Sequence, residues 1–164
     1  MPSRTEEPPY AVIRTLGNDV EIREYEPQIR ATSQMGEENK SFGVLAGYIF
    51  GQNDKNERIG MTAPVVTSRD KMSFIMPTRY TLLSLPKPLN PLIEIDQVQK
   101  DRVAVIRFSG FNSSKKTDEK TKKLLMVLNS SGIEIEGEPF LMRYNPPWTL
   151  PFFRRNEVAA RIKQ

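Results

Sequence analysis

The sequence contains no cysteine and no histidine among its 164 residues. Without cysteine, the chain has no disulfide framework, no thiolate nucleophile and no cysteine-based zinc site. Without histidine, it lacks the serine–histidine–aspartate triad and the imidazole groups that most often bind metals in proteins. We therefore assign no catalytic residue and no metal ligand, and we expect a protein that is not an enzyme. A hydrolase that uses a glutamate and a tyrosine as its acid–base pair is the enzymatic alternative.

Long apolar runs and clusters of positive charge are also missing. No stretch of about 18 apolar residues is present, so we expect no transmembrane helix. The segment Met1 to Tyr10 is polar and contains prolines. That is not the pattern of a signal peptide, so we expect a cytoplasmic protein. The net charge of +4 is mild and no run of lysine and arginine exceeds two residues, which disfavours nucleic-acid binding. We expect the chain to act as a monomer.

The remaining pattern predicts a single domain over residues 10–164, preceded by a flexible tail at residues 1–9. Apolar residues that alternate with polar ones predict about eight strands, among them 10–15, 20–25, 72–76, 103–108 and 133–144. Apolar residues at helical spacing predict helices at 41–50 and 117–129. The order of strands, one helix and a hairpin occurs twice. We therefore expect an α+β fold in which antiparallel sheet packs against two helices.

The first predicted helix contains two glycines four residues apart, Gly43 and Gly47. The apolar residues at helical spacing, which we expect to form its buried stripe, are Phe42, Leu45, Ala46 and Ile49. Each glycine costs roughly 1 kcal/mol relative to alanine in a helix interior, so the pair requires a reason. One reason is close approach of the helix to a neighbouring sheet. The other is a flat surface on which a ligand can lie.

The stretch Arg143–Glu157 is an unusually apolar connection. It holds the only tryptophan, three prolines, two adjacent phenylalanines and two adjacent arginines. Because proline fixes φ and removes a backbone donor, we expect a stiff loop here and not the middle of a strand or helix. Its aromatic side chains would bury a large apolar area if a surface were available. The loop is therefore either a lid packed on the core or one wall of a groove for a flat, apolar, anionic ligand.

Several blocks of the sequence resemble the SOUL/haem-binding protein family, and together they cover nearly the whole chain. In order they are VEIREY (20–25), FGVLAGYIFG (42–51) with Asn53 and Lys55, IGMTAPV (59–65), MSFIMP (72–77), VAVIRFSG (103–110) and YNPPWTLPFFRRNE (144–157). The resemblance implies a twisted antiparallel β-barrel of about eight strands, flanked by two α-helices and built from two similar halves. It also implies a relation to the effector-binding domains of transcription regulators, which bind small organic molecules.

For function, the resemblance implies non-catalytic binding of a tetrapyrrole, either haem or metal-free porphyrin. The family's proposed site is a shallow groove beside the first helix and the loop before the last strand, which are residues 42–50 and 148–155 here. Apolar side chains suit the two faces of a porphyrin, and arginine suits its propionates through paired hydrogen bonds. The ligand-binding candidates are Val44, Tyr48, Arg58, Met61, Trp148, Phe152, Phe153, Arg154 and Arg155.

Each candidate also has a structural alternative. Val44 and Tyr48 lie opposite the predicted buried stripe, so we expect them to be exposed, but an aromatic residue can equally pack in the core. Arg154 and Arg155 can be solvated or can pair with Glu157. Without histidine, haem iron would need methionine, tyrosine or lysine as a ligand, or would have no protein ligand at all, so we expect weak, reversible haem binding through apolar contact. The alternative function is a binding module for other amphipathic small molecules or for a protein partner.

Overall fold

The computed structural model describes residues 5–34, 36–110, 113–146 and 149–164. The chain forms two compact units: the first contains residues up to Pro8 and Pro27–Gln99, and the second contains Pro9–Glu26 and Lys100–Gln164. The strands are β1 (Tyr10–Leu16), β2 (Val20–Tyr25), β3 (Gln28–Gln34), β4 (Val65–Thr67), β5 (Lys71–Ile75), β6 (Ile93–Val98), β7 (Asp101–Phe108), β8 (Phe140–Arg143) and β9 (Asn156–Arg161). The helices are α1 (Glu38–Ile49), α2 (Ser114–Ser130) and a short 3-10 helix, Pro151–Phe153.

The first unit is an antiparallel sheet in the order β4-β5-β3-β6, with α1 packed on it. β3 is central, and its Ala31 pairs with Phe74 on β5 and with Ile95 on β6. Ala31 is fully buried and lies in one apolar cluster with Leu45, Phe74 and Ile93. A small side chain at the middle strand leaves room for the helix to approach, so burial of apolar area holds α1 against the sheet.

The second unit is an antiparallel sheet in the order β1-β2-β7-β9-β8, with α2 packed on one face. Alternation along β2 sends Val20 and Ile22 towards α2, where they join Leu124 and Leu128 in one apolar cluster. Arg23 and Tyr25 therefore lie on the other face of the same strand, and both are buried. The second unit thus has an apolar face under its helix and a face that contains buried polar groups.

Both helices begin earlier than the sequence pattern predicts. α1 begins at Glu38 instead of residue 41, and α2 begins at Ser114 instead of residue 117. The N-cap of α2 is Ser113, whose hydroxyl accepts a hydrogen bond from the backbone N–H of Lys116 at 3.2 Å. Serine is among the strongest N-cap residues, and this cap shifts the start of the helix by one turn.

The α+β class, the antiparallel pairing and the two α-helices are confirmed, and the described residues contain nine strands where about eight were expected. The single strand predicted at 133–144 is wrong, because only Phe140–Arg143 is a strand. Ile135 makes an isolated bridge to Ile162. Gly137 then adopts a φ of +77°, which interrupts the extended backbone between Ile135 and the start of β8. Over the part of the chain that the structure describes, neither α-helix is long and apolar enough to cross a membrane.

Residues from the predicted tail make contacts within the first unit. Glu6 forms a parallel bridge with Thr62, and its carbonyl accepts a hydrogen bond from the N–H of Ala63 at 2.9 Å. Its carboxylate accepts a second hydrogen bond from the N–H of Thr78 at 2.8 Å. Glu6 therefore connects the segment before β4 with the segment after β5.

Candidate functional site

After a polar first turn, in which Glu38, Asn39 and Lys40 are exposed, the outward side of α1 carries apolar residues. We define the α1 outer face as Phe42, Gly43, Ala46, Gly47 and Phe50, which follow helical spacing. Phe50 is 63% exposed and Phe42 is 44% exposed, although the ring of Phe42 also contacts Phe74 edge-on with the centroids 5.3 Å apart. A solvated helix normally carries polar residues on its outward face. The α1 outer face is therefore a candidate surface for an apolar ligand.

The two glycines of α1 do not make the close sheet contact that was one of the two explanations for them. A Cβ on Gly43 would meet no atom within 4 Å, so the helix surface is open there. A Cβ on Gly47 would come within 2.5 Å of Oε1 of Gln52, which is a side chain of the following loop and not of a sheet. Gly43 therefore leaves the helix surface open, as the second explanation requires, whereas Gly47 makes room for the side chain of Gln52.

The loop that follows α1 is fixed by Asn53, which is 3% exposed. Its amide nitrogen donates to the carbonyls of Tyr48 at 3.1 Å and Glu57 at 2.8 Å. Its amide oxygen accepts from the N–H groups of Lys55 and Glu57. Four hydrogen bonds to one side chain make this loop a defined structure, and they bring the chain back to the end of α1 at Arg58.

Arg58 and Met61 belong to the first unit, and both are exposed. The guanidinium carbon of Arg58 lies 5.4 Å from the ring centroid of Phe50, within the range of a cation–π contact. Met61 is 41% exposed. The structure therefore brings Arg58 together with the α1 outer face, so a positive charge lies beside an exposed aromatic ring.

Two predictions on α1 are wrong, and the cause is the rotation of the helix. Tyr48 is fully buried and its hydroxyl donates to the carbonyl of Pro86, so it is not exposed to a ligand. Burial also raises its pKa above the ordinary tyrosine value. Val44 is half-buried against the core of the first unit. The buried side of α1 contains Ser41, Leu45, Tyr48 and Ile49, which leaves Phe42 and Phe50 outward.

In the second unit, the apolar part of the predicted loop is exposed. Phe152 and Phe153 belong to the short 3-10 helix, and each is 68% exposed. Their ring centroids are 4.6 Å apart, so they form one aromatic surface. The backbone is held by a hydrogen bond from the N–H of Gly110 to the carbonyl of Pro151 at 2.7 Å. Core packing is therefore the wrong explanation for these two rings, and Trp148 lies outside the described residues.

The two arginines of the loop have different environments. Nε of Arg154 donates to the carbonyl of Thr149 at 2.8 Å, which stabilises the loop backbone. Arg155 is 21% exposed, and its guanidinium group donates to Oε2 of Glu157 at 3.3 Å. The guanidinium carbon of Arg155 also lies 3.9 Å from the ring centroid of Tyr144. The predicted pairing with Glu157 is present, so Arg155 has an internal partner.

Glu157 is the centre of a buried polar group that the sequence did not reveal. We define the Glu157 cluster as Glu157 with the five side chains around it: Arg23, Tyr25, Arg107, Tyr144 and Arg155. Two parallel hydrogen bonds join Arg23 to Glu157 at 2.8 and 2.7 Å. Both side chains are at most 1% exposed. Arg23 on β2 and Arg107 on β7 both contact the carboxylate of Glu157 on β9, so strand order brings opposite charges together inside the second unit.

The charge of Arg23 controls the ionisation of Glu157. Burial acts to raise the pKa of Glu157, but the hydrogen bonds and positive charge of Arg23 outweigh it, so the pKa lies below its ordinary value. Burial and the nearby Glu157 carboxylate raise the pKa of Tyr144. Glu157 is therefore ionised at neutral pH and Tyr144 is neutral, which is a stabilising arrangement and not an acid–base pair with matched pKa values.

The donor atoms of this chain do not fit an axially ligated haem iron. Histidine and cysteine are absent from the whole sequence. Burial raises the pKa values of Tyr25, Tyr48, Tyr80 and Tyr144, which opposes the phenolate form that binds iron. Within the described ranges, no group of three or more acidic residues could hold a metal ion. Met61 is an exposed thioether, but no imidazole is present to pair with it. The apolar surfaces fit the macrocycle, whereas the donor set does not fit the metal.

Solved structures with this fold are similar in shape and distant in sequence. The C-terminal domain of EcmrR is 10% identical with a TM-score of 0.63, over 88% of this chain and 97% of that domain. A hydrolase from Listeria innocua is 9% identical with a TM-score of 0.60, over 91% of this chain and 94% of that one. At such low identity these likenesses show the fold alone.

Sequence comparison gives the family. The family model described as "SOUL heme-binding protein" matches residues 5–161, so the chain belongs to the SOUL haem-binding protein family. Heme-binding protein 2 of Homo sapiens is 30% identical over 128 residues, which are 71% of this chain and 62% of the human protein. Heme-binding protein 2 of Mus musculus gives the same values. The chain thus spans less than two thirds of the length of these curated relatives.

Proposed function

We propose that this protein binds a tetrapyrrole without catalysis, and that the α1 outer face is the surface on which the macrocycle lies. The observation that carries the proposal is the exposure of Phe42 and Phe50 on one side of α1, with open space at Gly43. A porphyrin has the matching shape, with two broad apolar faces. Arg58 stacks on Phe50 and is the proposed partner of a propionate. Membership of a haem-binding family supports the choice of ligand.

The loop residues of the second unit form a separate part of the proposal. Phe152 and Phe153 present an exposed aromatic pair, and we propose this pair as a second, separate apolar surface for a tetrapyrrole, considered within the second unit alone. Arg155 is a weaker candidate for a propionate than Arg58, because Glu157 and Tyr144 already contact its guanidinium group. Variants in the two units test these contributions independently.

Binding should not depend on the metal, because the chain offers macrocycle contacts and no suitable iron ligand. Haem supplies an iron centre when it is bound, and the residues of this chain hold only the ring and its carboxylates. Absorbance and fluorescence titrations with haemin and with protoporphyrin IX should give dissociation constants within about threefold of each other, a difference below 1 kcal/mol. A low-spin haemin spectrum, or binding of haemin alone, would contradict the proposal.

A matched pair of variants at Gly43 tests the location of the site. Gly43→Ala adds one methyl group in open space and should stabilise the helix by about 1 kcal/mol with little effect on binding. Gly43→Glu adds bulk and negative charge on the same spot, and should weaken protoporphyrin IX binding by more than about tenfold. Equal binding by the two variants would place the ligand elsewhere.

The alternative function is the binding of other amphipathic organic anions on the same surface. The resemblance to effector-binding domains of transcription regulators supports it, and the α1 outer face with Arg58 suits any flat apolar anion. A competition series decides between the two. If a tetrapyrrole is the ligand, smaller flat aromatic carboxylates should displace protoporphyrin IX only at concentrations well above that of protoporphyrin IX itself. Displacement at equal concentration would favour the alternative.

We also propose a monomeric, non-enzymatic protein that acts in the cytoplasm. The neutral tyrosines and the charge-paired Glu157 oppose acid–base catalysis by these groups. Sedimentation at micromolar concentration should give the mass of one chain with and without protoporphyrin IX. A ligand-dependent dimer would overturn the monomeric part of the proposal and leave the binding part unchanged.

A further inference from the structure

The second unit has an open groove of about 390 Å³ that shares no residue with the α1 outer face. Four of its lining residues are isoleucines: Ile13, Ile22, Ile133 and Ile162. Ile22 and Ile162 are 4% and 8% exposed and form an apolar floor, whereas Ile13 is 45% exposed. We name it the isoleucine groove. Its volume is in the range that small organic ligands occupy.

A β-bulge in β1 shapes one wall of the isoleucine groove. Val12 pairs with Arg23 and Arg14 pairs with Ile22, so Ile13 is an extra residue in the strand. In a regular strand, neighbouring side chains point to opposite faces. The bulge changes the direction of the side chains at this point of the strand, and both Ile13 and Arg14 line the groove. An apolar and a cationic side chain are thereby presented side by side.

The opposite wall is held by backbone hydrogen bonds. The N–H of Ile133 donates to the carbonyl of Leu128 at 2.9 Å, directly after α2. The N–H of Lys163 donates to the carbonyl of Glu134 at 2.9 Å, which ties this segment to the end of β9. The wall is therefore fixed before any ligand arrives, and binding requires little ordering of the chain.

The charges around the groove leave one guanidinium group uncompensated. Lys163 pairs with Glu134 at 3.2 Å, and Arg102, which also lines the groove, pairs with Glu24 at 3.2 Å. Arg14 is exposed and has no carboxylate partner among the residues that the structure describes. An apolar floor with an unpaired guanidinium group at its edge is complementary to a molecule that has an apolar body and one carboxylate.

We propose that the isoleucine groove binds an aliphatic monocarboxylate, with the hydrocarbon chain on the isoleucines and the carboxylate on Arg14. This is a second binding site, in a different unit from the proposed tetrapyrrole surface. Its occupant is smaller than a porphyrin and is recognised by one charge instead of two. Loss of the first function by a variant on α1 therefore leaves this site intact.

Titration of the ¹⁵N-labelled protein with sodium octanoate tests the proposal. Amide shifts should change at residues 13–14, 132–134 and 162–163. Arg14→Gln should weaken binding about threefold, the value expected for one exposed ion pair, and 1-octanol should bind about as weakly to the wild type. The matched control is Arg69→Gln, an exposed arginine of the first unit, which should change nothing.

Three results would overturn the proposal. These are the absence of shifts at millimolar octanoate, shifts confined to other residues, and equal affinity for octanoate and 1-octanol. Ile13→Glu provides a second variant on an exposed side chain and should abolish octanoate binding through charge repulsion and loss of apolar contact. Gly43→Glu should keep octanoate binding at wild-type strength, which separates this site from the tetrapyrrole surface.

Discussion

The two units each pack one α-helix on an antiparallel sheet, but α1 exposes charged residues only in its first turn, at Glu38 and Lys40, whereas α2 exposes them along its length. The α1 outer face contains two exposed phenylalanines and an open glycine. The exposed residues of α2 include three lysines and two acidic side chains: Lys115, Asp118, Glu119, Lys122 and Lys123. A charged outward face is what solvent requires of a surface helix. A helix in this arrangement can therefore carry a charged outward face, and the exposed phenylalanines of α1 are the basis for proposing the tetrapyrrole surface in the first unit.

The arginines of the two units repeat this contrast. Arg58 is exposed, stacks on Phe50 and has no carboxylate partner within the described part of the chain. Arg155 is largely buried and contacts Glu157. An arginine that neutralises an internal carboxylate stabilises the fold, whereas an arginine beside exposed rings is available to a ligand. The first unit is thus expected to respond to mutation in binding, and the second in stability.

The largest expected effect is the loss of the buried carboxylate in the second unit. Glu157→Gln removes the buried counter-charge of Arg23 and leaves only the part-exposed Glu21 carboxylate at 2.9 Å, so it should lower the free energy of unfolding by about 3 kcal/mol at pH 7. Chemical denaturation measures it, with Glu134→Gln on an exposed pair as the control. A loss below about 1 kcal/mol would mean that the Glu157 cluster contributes little to the second unit.

The destabilisation caused by Glu157→Gln should disappear in acid. Because the pKa of Glu157 is lowered in the folded protein, the unfolded chain binds more protons near pH 4. The stabilisation is therefore present above the unfolded pKa of roughly 4.3 and is lost as the pH falls through the folded pKa. The difference between wild type and Glu157→Gln should be constant from pH 7 to 5 and shrink below about pH 4. A difference that grows in acid would contradict the assignment.

The inward sides of the two helices should be equivalent even though their outward sides differ. Leu45 on α1 and Leu124 on α2 are both fully buried. Leu45→Ala and Leu124→Ala should each destabilise the protein by about 2–5 kcal/mol, from lost apolar burial and the cavity left behind. Urea unfolding checks both. A destabilisation several times smaller for Leu45→Ala than for Leu124→Ala would show that the core of the first unit is less tightly packed. The two units would then differ in their cores as well as in their outward helix faces.

A pair of arginine variants separates stability from binding. Arg155→Met removes one cation from Glu157 and should cost about 1–2 kcal/mol of stability. Arg58→Met should leave stability within about 0.5 kcal/mol and weaken protoporphyrin IX binding by about threefold, as expected for one exposed charge. Thermal unfolding and fluorescence titration are measured on both proteins. If Arg58→Met lowered stability and Arg155→Met weakened protoporphyrin IX binding, the roles assigned to the two arginines would be wrong.

The smallest effect is expected on the outward side of α2. Met126 is 65% exposed and is the apolar exception on that face. Met126→Gln should change protoporphyrin IX affinity by less than about twofold, since surface substitutions away from a site have little effect. Phe50→Gln is the matched change on α1 and should weaken binding by about tenfold, through loss of the aromatic contact. Equal effects at the two positions would remove the basis for assigning the ligand to α1.

The sequence predicted the strands better than the orientation of the helix that matters most. Residues 20–25 were predicted as a strand and β2 has those bounds, because alternation of apolar and polar residues is unambiguous there. On α1, Phe42 and Tyr48 exchanged their expected roles. Apolar residues surround this helix on all sides, so spacing alone does not decide which of them face the sheet.

The Glu157 cluster shows why long-range polar contacts escape prediction from sequence. Arg23 and Glu157 are 134 positions apart and meet through the order of strands β2, β7 and β9. Pairing of Arg155 with Glu157, two positions away, was among the alternatives because it is local. The isoleucine groove was missed for a similar reason, since its walls depend on a β-bulge that no residue type announces. Contacts between residues close in sequence can be predicted from the sequence, whereas contacts that depend on strand order and register cannot.

Gly43 is a suitable position for attaching a fluorescent label to the first unit. The position faces open space and the chain has no cysteine, so Gly43→Cys would create a unique thiol without any background reaction. A small fluorophore attached there would sit on the proposed ligand surface itself. Energy transfer to a porphyrin falls steeply with distance, so quenching of such a label would report occupancy in real time. The open position on α1 thereby becomes the attachment point for a sensor of ligand binding.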